Sequence, residues 1–511
     1  MKKVHELRLR YALVRGLLMI CLALTASACG PEALETNTST DGSSMKPDTS
    51  VGQVQEALLP GTTSPAPTLV FNSSPSSGAQ DLSTDSGYWA DQQIAASSTH
   101  LVVTQRASIG FFTRGGTQLT HTNGNSFFSG LTPPGSTGVF DLRVQWDRWR
   151  SRFVMVGLAN SNPVGNSRVL IAVSTSSNPN DPWCRYTTGA GFGGVANQGA
   201  DYPMLGIGRS ALMITFTVNG SNSIWIFPAQ QMADCVAFGS LTGTWGFTGL
   251  TVGDGSSPGL IAPATMHTSP LDDRLYGAVR YGTNGVTVYR ITNPLSSSRV
   301  LSQIDVAIPG EDFLSAFGQG NNLGAPQSGT TFRFGMYLFD GHTSQPVLRS
   351  VYRSGTLGLV TPDGHDWGSG LVSSIRFITL NPDTGAISRN RKWGASTSHY
   401  GWPGVDVNNA GDWAVSFTRT SATSFPEARY SAWSSSDTDF RPSTSIRAPG
   451  IAWTDPGVCG QYCARGSIGN GAETSSASLD GNGTTIWFST MLPSTTTFQN
   501  FTQWVSRVYG N

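Results

Sequence analysis

Charge is what this sequence has least of. Asp, Glu, Lys and Arg make up 13% of its 511 residues, about half the usual share of roughly 25%. No basic patch or stripe stands out, which argues against a nucleic-acid partner, since phosphate neutralisation needs clustered Lys and Arg. Beyond the first 28 residues no segment is long and apolar enough to span a bilayer as a helix. No stretch of a dozen residues carries a convincing amphipathic helical period. Compact catalytic motifs are missing as well. There is no H-E-x-x-H, no P-loop and no dinucleotide fingerprint in a βαβ setting. The match Gly255-Ser256-Ser257-Pro258-Gly259 to G-x-S-x-G lacks the strand and helix that a nucleophile elbow requires.

What the chain does contain is 60 Gly, 28 Pro and 14 Trp. Short apolar, β-branched runs such as Arg168-Val169-Leu170-Ile171-Ala172-Val173 alternate with Gly, Asn, Asp and Ser clusters. These are strand and turn signals, and they predict an all-β body. Aromatics and β-branched residues are frequent enough to build a core.

The N-terminus reads as an export signal. Lys2, Lys3, Arg8, Arg10 and Arg15 precede the apolar run Gly16–Leu24, and the small residues Ala26-Ser27-Ala28 follow. That order marks a signal peptide, 1–28, and the apolar run is too short to cross a membrane. Its removal leaves 27 basic and 31 acidic residues, a net charge of −4. Ala26-Ser27-Ala28-Cys29 resembles the bacterial lipobox, with Ala26 where Leu is commoner. The resemblance implies acylation of Cys29, which would attach the chain to a membrane through its acyl chains. The alternative is an ordinary signal peptide cut after Ala28. Gly30 in place of Asp resembles lipoproteins destined for the outer membrane of Gram-negative bacteria, at the cell surface or on the periplasmic face. Residues 29–67, rich in Ser, Thr, Gly and Pro, read as a disordered, flexible tether. Residues 68–511 read as the folded body.

Four cysteines remain in that body: Cys184, Cys235, Cys459 and Cys463. An even number in an exported chain favours disulfides over metal, as no C-x-x-C occurs and no His sits near either pair. Three pairings are possible. Cys184–Cys235 with Cys459–Cys463 is favoured, because the last two enclose only Gly460-Gln461-Tyr462.

A loose unit recurs in the body: apolar residues, a polar or Gly turn, then alternating apolar residues. Instances begin near Ile94, Val144, Leu205, Ala264, Ala325, Val405 and Ser478. The spacing of roughly 50–80 residues is that of a four-stranded blade with generous loops. The expectation is a β-propeller of about six or seven blades, with a β-sandwich array as its competitor. Several stretches resemble uncharacterised secreted bacterial β-propeller lipoproteins, distantly sialidase-like in architecture. They are Trp146-Asp147-Arg148-Trp149, Asn180-Asp181-Pro182-Trp183, Asp201–Gly206, Val407–Asp412 and Phe425–Tyr430. A late Trp-Gly-Asp-Tyr-Ser segment of that group is degenerate here, at Arg465–Gly469.

Ser478–Trp487 resembles the Asp-box of sialidase-like propellers, with one extra residue. The resemblance makes it a structural hairpin, and Asp480 is better explained as a turn residue than as a catalyst. Asp480 and Asn482 are also weak calcium candidates, as such Asp/Asn/Gly loops can hold the ion. No full EF-hand loop occurs. Glycoside hydrolysis usually needs two carboxylates, or a Tyr nucleophile in sialidases. Asp201, Glu311 and Glu427 have the least turn-like surroundings. Arg280, Arg349 and Arg429 lie on strand-like segments of different repeats and could converge at a propeller axis on a substrate carboxylate. Trp367, Trp393, Trp402 and Trp453 sit in loop-like surroundings where an exposed ring could stack on a sugar, although blade packing uses aromatics equally. The leading expectation is a binding protein for a glycan or other surface polymer. A sialidase-like glycoside hydrolase and a structural envelope protein are the alternatives.

Overall fold

Among the described residues of the computed structural model, seven four-stranded antiparallel units follow one another along the chain. The structure describes residues 52–55, 63–72, 92–161, 167–189, 199–218, 221–282, 284–309, 324–329, 333–335, 347–448, 450–452, 468–469, 475–493 and 501–509. The first strands of the units are Gln92–Ala96, Ser136–Asp147, Ala200–Ile207, Ala262–Met266, Arg349–Arg353, Ser398–Val407 and Ser475–Leu479. Each contacts the next, and the seventh contacts the first, so they form a closed ring. The fold is a β-propeller. We number its blades 1 to 7 in chain order, and their first strands surround the axis.

Burial on both faces explains why the strands read as continuous apolar runs. Each blade is packed between two others. Val156, Ile171, Leu205, Ile214 and Trp225 fill the space between blades 2 and 3. Phe377, Trp393, Trp413, Trp433 and Phe440 do so between blades 5 and 6. Ile94, Leu101, Trp487 and Val505 join blade 7 to blade 1.

The ring closes through the N-terminus. Thr68–Asn72 is the outermost strand of blade 7, paired antiparallel with Phe501–Val508. Part of the segment that reads as a tether is built into the fold in the same way. Gly52–Gln55 runs parallel to Ile387–Gly394 as a fifth strand on blade 5. Ser64 donates its N–H to Pro442 O at 2.8 Å and accepts the Ala432 N–H at 2.9 Å on blade 6. Backbone hydrogen bonds to strand edges, which composition does not reveal, hold these residues.

Six of the seven sequence units coincide with the hairpin between the first two strands of a blade. The unit at Ala325 does not. Gly324–Ala325 and Arg333–Gly335 belong to a small three-stranded sheet with Ile468–Gly469. The blade 5 hairpin turns instead at Ser354-Gly355, with φ of 48° and 83°. Two positive φ values in a two-residue turn match the twist of the flanking strands, and the turn is too short to show as a polar cluster.

In four of the other blades the corresponding turn is capped by the residue that ends the first strand or directly follows it. Ser97 Oγ accepts the N–H groups of Thr99 and His100. Asp147 Oδ1 accepts those of Trp149 and Arg150, Asn408 Oδ1 those of Ala410 and Asp412, and Asp480 Oδ1 those of Thr484 and Thr485. One side-chain device thus shapes one end of the axis in blades 1, 2, 6 and 7.

The Cys184–Cys235 disulfide is present, with Cα atoms 5.2 Å apart. It ties the outer strand of blade 2 to the segment after the short helix Ala229–Ala233 of blade 3. Cys29, Cys459 and Cys463 lie outside the described residues.

Candidate functional site

A small cavity of about 20 Å³ lies on the axis, lined by first strands and the residues that follow them. Gln93, Gln145, Thr265, His267, Arg349, Asp406 and Ser478 supply its polar groups, and Trp146 supplies an indole. The polar lining is itself tied together across blades. Gln145 of blade 2 donates to the Leu205 carbonyl of blade 3 and accepts from Thr265 of blade 4 at 3.0 Å.

At the capped end of the cavity sits a buried His267–Asp406 pair. His267 Nε2 and Asp406 Oδ1 are 2.5 Å apart, and each side chain is 6% exposed. Asp406 Oδ1 also accepts the Val407 N–H at 2.7 Å, and Oδ2 accepts the Leu479 N–H at 2.6 Å. Asp406 therefore joins blades 4, 6 and 7. Burial pushes its carboxyl up, but His267 and the two backbone N–H groups outweigh this and hold it below the ordinary carboxylate range. Burial holds His267 below its ordinary value against the pull of Asp406, and the Arg353 and Arg148 charges add to the burial effect. The imidazole is thus neutral at pH 7 and donates to an ionised Asp406.

Two arginines flank this pair at the mouth. Arg148 Nη1 donates to the His267 carbonyl at 3.1 Å. Arg148 Nη2 and Arg353 Nη2 both donate to Asn409 Oδ1, at 3.5 and 2.9 Å. Asn409 is exposed, and both arginines are partly exposed. Beside them Arg114 Nη1 pairs with Asp480 Oδ2 at 2.8 Å.

The structure separates the three arginines that could have converged. Only Arg349 reaches the axial cavity. Arg280 lies on the second strand of blade 4, 1% exposed, and donates to Thr361 Oγ1 of blade 5 at 3.3 Å. Arg429 is on the third strand of blade 6, where Nη1 pairs with Glu427 Oε1 at 2.7 Å and Nε donates to Ser443 Oγ at 2.6 Å. Glu427 also pairs with Arg419 at 2.8 Å. Asp201 is exposed where a bulge interrupts the first strand of blade 3, and its Oδ1 accepts the Tyr202 N–H at 3.0 Å. Glu311 and Trp453 lie outside the described residues.

Three of the tryptophans considered for sugar stacking are packed inside. Trp393 and Trp402 are 1% exposed and Trp367 is 9% exposed. Trp393 stacks on Phe440 with centroids 4.5 Å apart, and Trp367 Nε1 donates to Ser374 Oγ at 3.0 Å. Blade contacts claim these rings because large aromatics bury the most area there. The Asp480 oxygens are taken by Arg114 and the Thr484 and Thr485 N–H groups, and Asn482 is exposed. Among the described residues no three metal-ligating side chains gather.

His267, Asp406, Arg148, Arg353 and Asn409 do not stand out in the sequence. A usable signal exists in the recurring hairpin. Superposing Val144–Arg150 on Val405–Asp412 puts Arg148 beside Asn409, because both lie just beyond a first strand.

No protein-family model matches the chain, and no curated protein matches it. Solved structures with a similar course of the chain include glycoside hydrolases and the β-propeller domain of Myceliophteria thermophila Cps50 (Swd1), 9% identical over 63% of this chain and 78% of its own, with a TM-score of 0.31. The alpha-L-arabinanase of Penicillium chrysogenum, complexed with arabinobiose, is 10% identical over 88% of this chain and 98% of its own, with a TM-score of 0.36. The phage phi92 endosialidase is 8% identical over 87% of this chain and 69% of its own, with a TM-score of 0.38. The GH93 alpha-L-arabinofuranosidase of Fusarium graminearum, also complexed with arabinobiose, is 10% identical over 69% of this chain and 92% of its own, with a TM-score of 0.35. The similarity is one of fold, and activity does not follow from it.

Proposed function

We propose that this chain is an exported lipoprotein, anchored by acylated Cys29 at the outer membrane, whose propeller binds a glycan or another surface polymer at the axial opening. The observation that carries the binding reading is the lining. Amide, hydroxyl, imidazole and guanidinium groups converge there with one indole, Trp146. Such a mixture suits a polyhydroxylated ligand, which needs directional donors and acceptors in a partly apolar cleft. Asp406 is the one carboxylate among the described lining residues, and both its oxygens already accept hydrogen bonds. Two-carboxylate hydrolysis needs a second acid facing it. That favours binding over a glycosidase.

A glycan array probed with the full chain in detergent tests the reading, beside a fluorogenic glycoside panel. Array signals that weaken on Gln145→Ala or Trp146→Ala, with no turnover, are expected. Turnover of any glycoside would replace binding by hydrolysis. Mass spectrometry of the mature N-terminus should find acylated Cys29, and an unmodified cysteine there would refute the anchor.

A further inference from the structure

Arg148 and Arg353 approach the mouth from opposite parts of the ring, blades 2 and 5. Sharing Asn409 Oδ1 keeps their Nη2 atoms no further apart than the two bond lengths combined, about 6.4 Å. Neither makes an ion pair with a carboxylate among the described residues; their hydrogen bonds go to a carbonyl and an amide oxygen. Arg353 Nε is buried without a partner. Burial lowers both guanidinium pKa values, and the Arg148 charge adds to the effect on Arg353. Two like charges held this close on one neutral acceptor destabilise each other.

The nearby acids answer this charge only in part: Asp406 and Asp480 favour the charged form of Arg148, and Asp406 that of Arg353, but burial outweighs them and both carboxylates are bonded elsewhere. Asp480 is committed to Arg114 and its own turn. Asp406 is committed to His267, Val407 and Leu479. Among the described residues, the mouth holds Arg114, Arg148 and Arg353 against Asp406 and Asp480, a surplus of one positive charge at a place open to solvent, to which Arg349 deeper in the cavity adds.

We infer that this mouth is an oxyanion site, in which the Arg148 and Arg353 guanidiniums together hold a carboxylate or sulfate group of an acidic glycan docked over the axial opening. The inference rests on the glycan-binding reading and narrows it to acidic sugars. Guanidinium groups favour such ligands because their planar donors match oxyanion geometry, and charge-assisted hydrogen bonds are roughly twice as strong as neutral ones. Asn409 serves as a place-holder, satisfying one donor of each arginine without neutralising either.

Two measurements on the full chain in detergent test this separately from the broader reading. In the first, thermal unfolding is followed with sodium sulfate or sodium glucuronate against sodium chloride at equal ionic strength. Both oxyanions should raise the unfolding temperature of the wild type. The rise should vanish in Arg148→Gln and Arg353→Gln and be partly kept in Arg353→Lys. Asn409→Asp puts a carboxylate on the two guanidiniums, so it should be more stable than the wild type and indifferent to oxyanions. This variant keeps the test decisive if an arginine variant fails to fold. In the second, acidic glycans and their carboxyl-reduced or desulfated partners are compared on the array. The acidic member should bind about tenfold or more tighter, the equivalent of about 1.4 kcal/mol. Equal binding of both members, unchanged in Arg353→Gln, would overturn the oxyanion site and leave glycan binding standing. Oxyanion stabilisation without any array signal would uphold the site and overturn the glycan reading. Neither response, with Asn409→Asp no more stable than the wild type, would overturn both.

Discussion

Two groups of charged residues in this propeller have similar composition and opposite settings. In blade 5, Asp363 Oδ2 lies 3.4 Å from Lys392 Nζ and 3.6 Å from Arg376 Nη1, and all three side chains are 0% exposed. Asp363 Oδ1 accepts the Gly364 N–H, Lys392 donates to the Gly364 carbonyl, and Arg376 donates to Asn390 and the Pro309 carbonyl. Burial pushes the Asp363 carboxyl up against the pull of Lys392, Arg376 and Arg280. At the axial mouth, Arg148 and Arg353 are partly exposed and meet on an amide oxygen. The first group is sealed, so its charges must be answered within the protein. The second is open, so an external anion can answer them. Burial, more than the number of charges, decides which group must be answered within the protein and which stays open to an external anion.

The largest expected effect comes from breaking the sealed group. Asp363→Ala takes from Arg376 and Lys392 the carboxylate they share in the interior, and should cost about 3–5 kcal/mol in denaturant unfolding. A loss below about 1 kcal/mol would place the cluster outside the stabilising interior and collapse the contrast. Next in size is the Cys184–Cys235 crosslink. The Cys184→Ala, Cys235→Ala double variant should lose roughly 2–4 kcal/mol while oxyanion stabilisation persists, because the bond joins blades 2 and 3 away from the mouth.

A smaller effect sharpens the electrostatics of the mouth. The folded His267 pKa lies below its ordinary value, so the unfolded chain takes up the proton first as pH falls. The contribution of His267 is complete above about pH 6.5 and is lost below it, by up to about 1.4 kcal/mol per pH unit. His267→Gln should flatten that part of the stability profile; an unchanged slope would mean that His267 is protonated in the fold. Smallest is Arg353→Gln, which should change unfolding free energy in chloride by under about 1 kcal/mol, since exposed charges contribute little. A cost near that of Asp363→Ala would make the mouth structural.

The fold was readable because it rests on local signals. Short runs such as residues 211–217 are buried end to end, and the turns after them carry Ser, Asp or Asn. Blade 5 escaped detection because its hairpin turns on two residues. The site was far less readable. His267 and Asp406 are separated by 139 positions, and Arg148 and Asn409 by 261. Only ring closure brings them together, and nothing local distinguishes them from other polar residues at strand ends. The strand-borne arginines looked better placed, but Arg280 and Arg429 face neighbouring side chains of blades, not the axis. Trp393 sits among Gly and Ser because a turn follows its strand, and Trp402 because a bulge interrupts its strand between Gly401 and Gly404; both rings are buried.

The central claim is that the ligand sits on the axis and reaches the mouth. Photo-crosslinking with an acidic glycan selected on the array, followed by peptide mapping, tests it most directly. Adducts are expected on peptides holding residues 144–149, 265–267, 349–353 and 405–409, and should be lost in Arg353→Gln. Adducts confined to the outer strands of the blades, unaffected by that substitution, would contradict it.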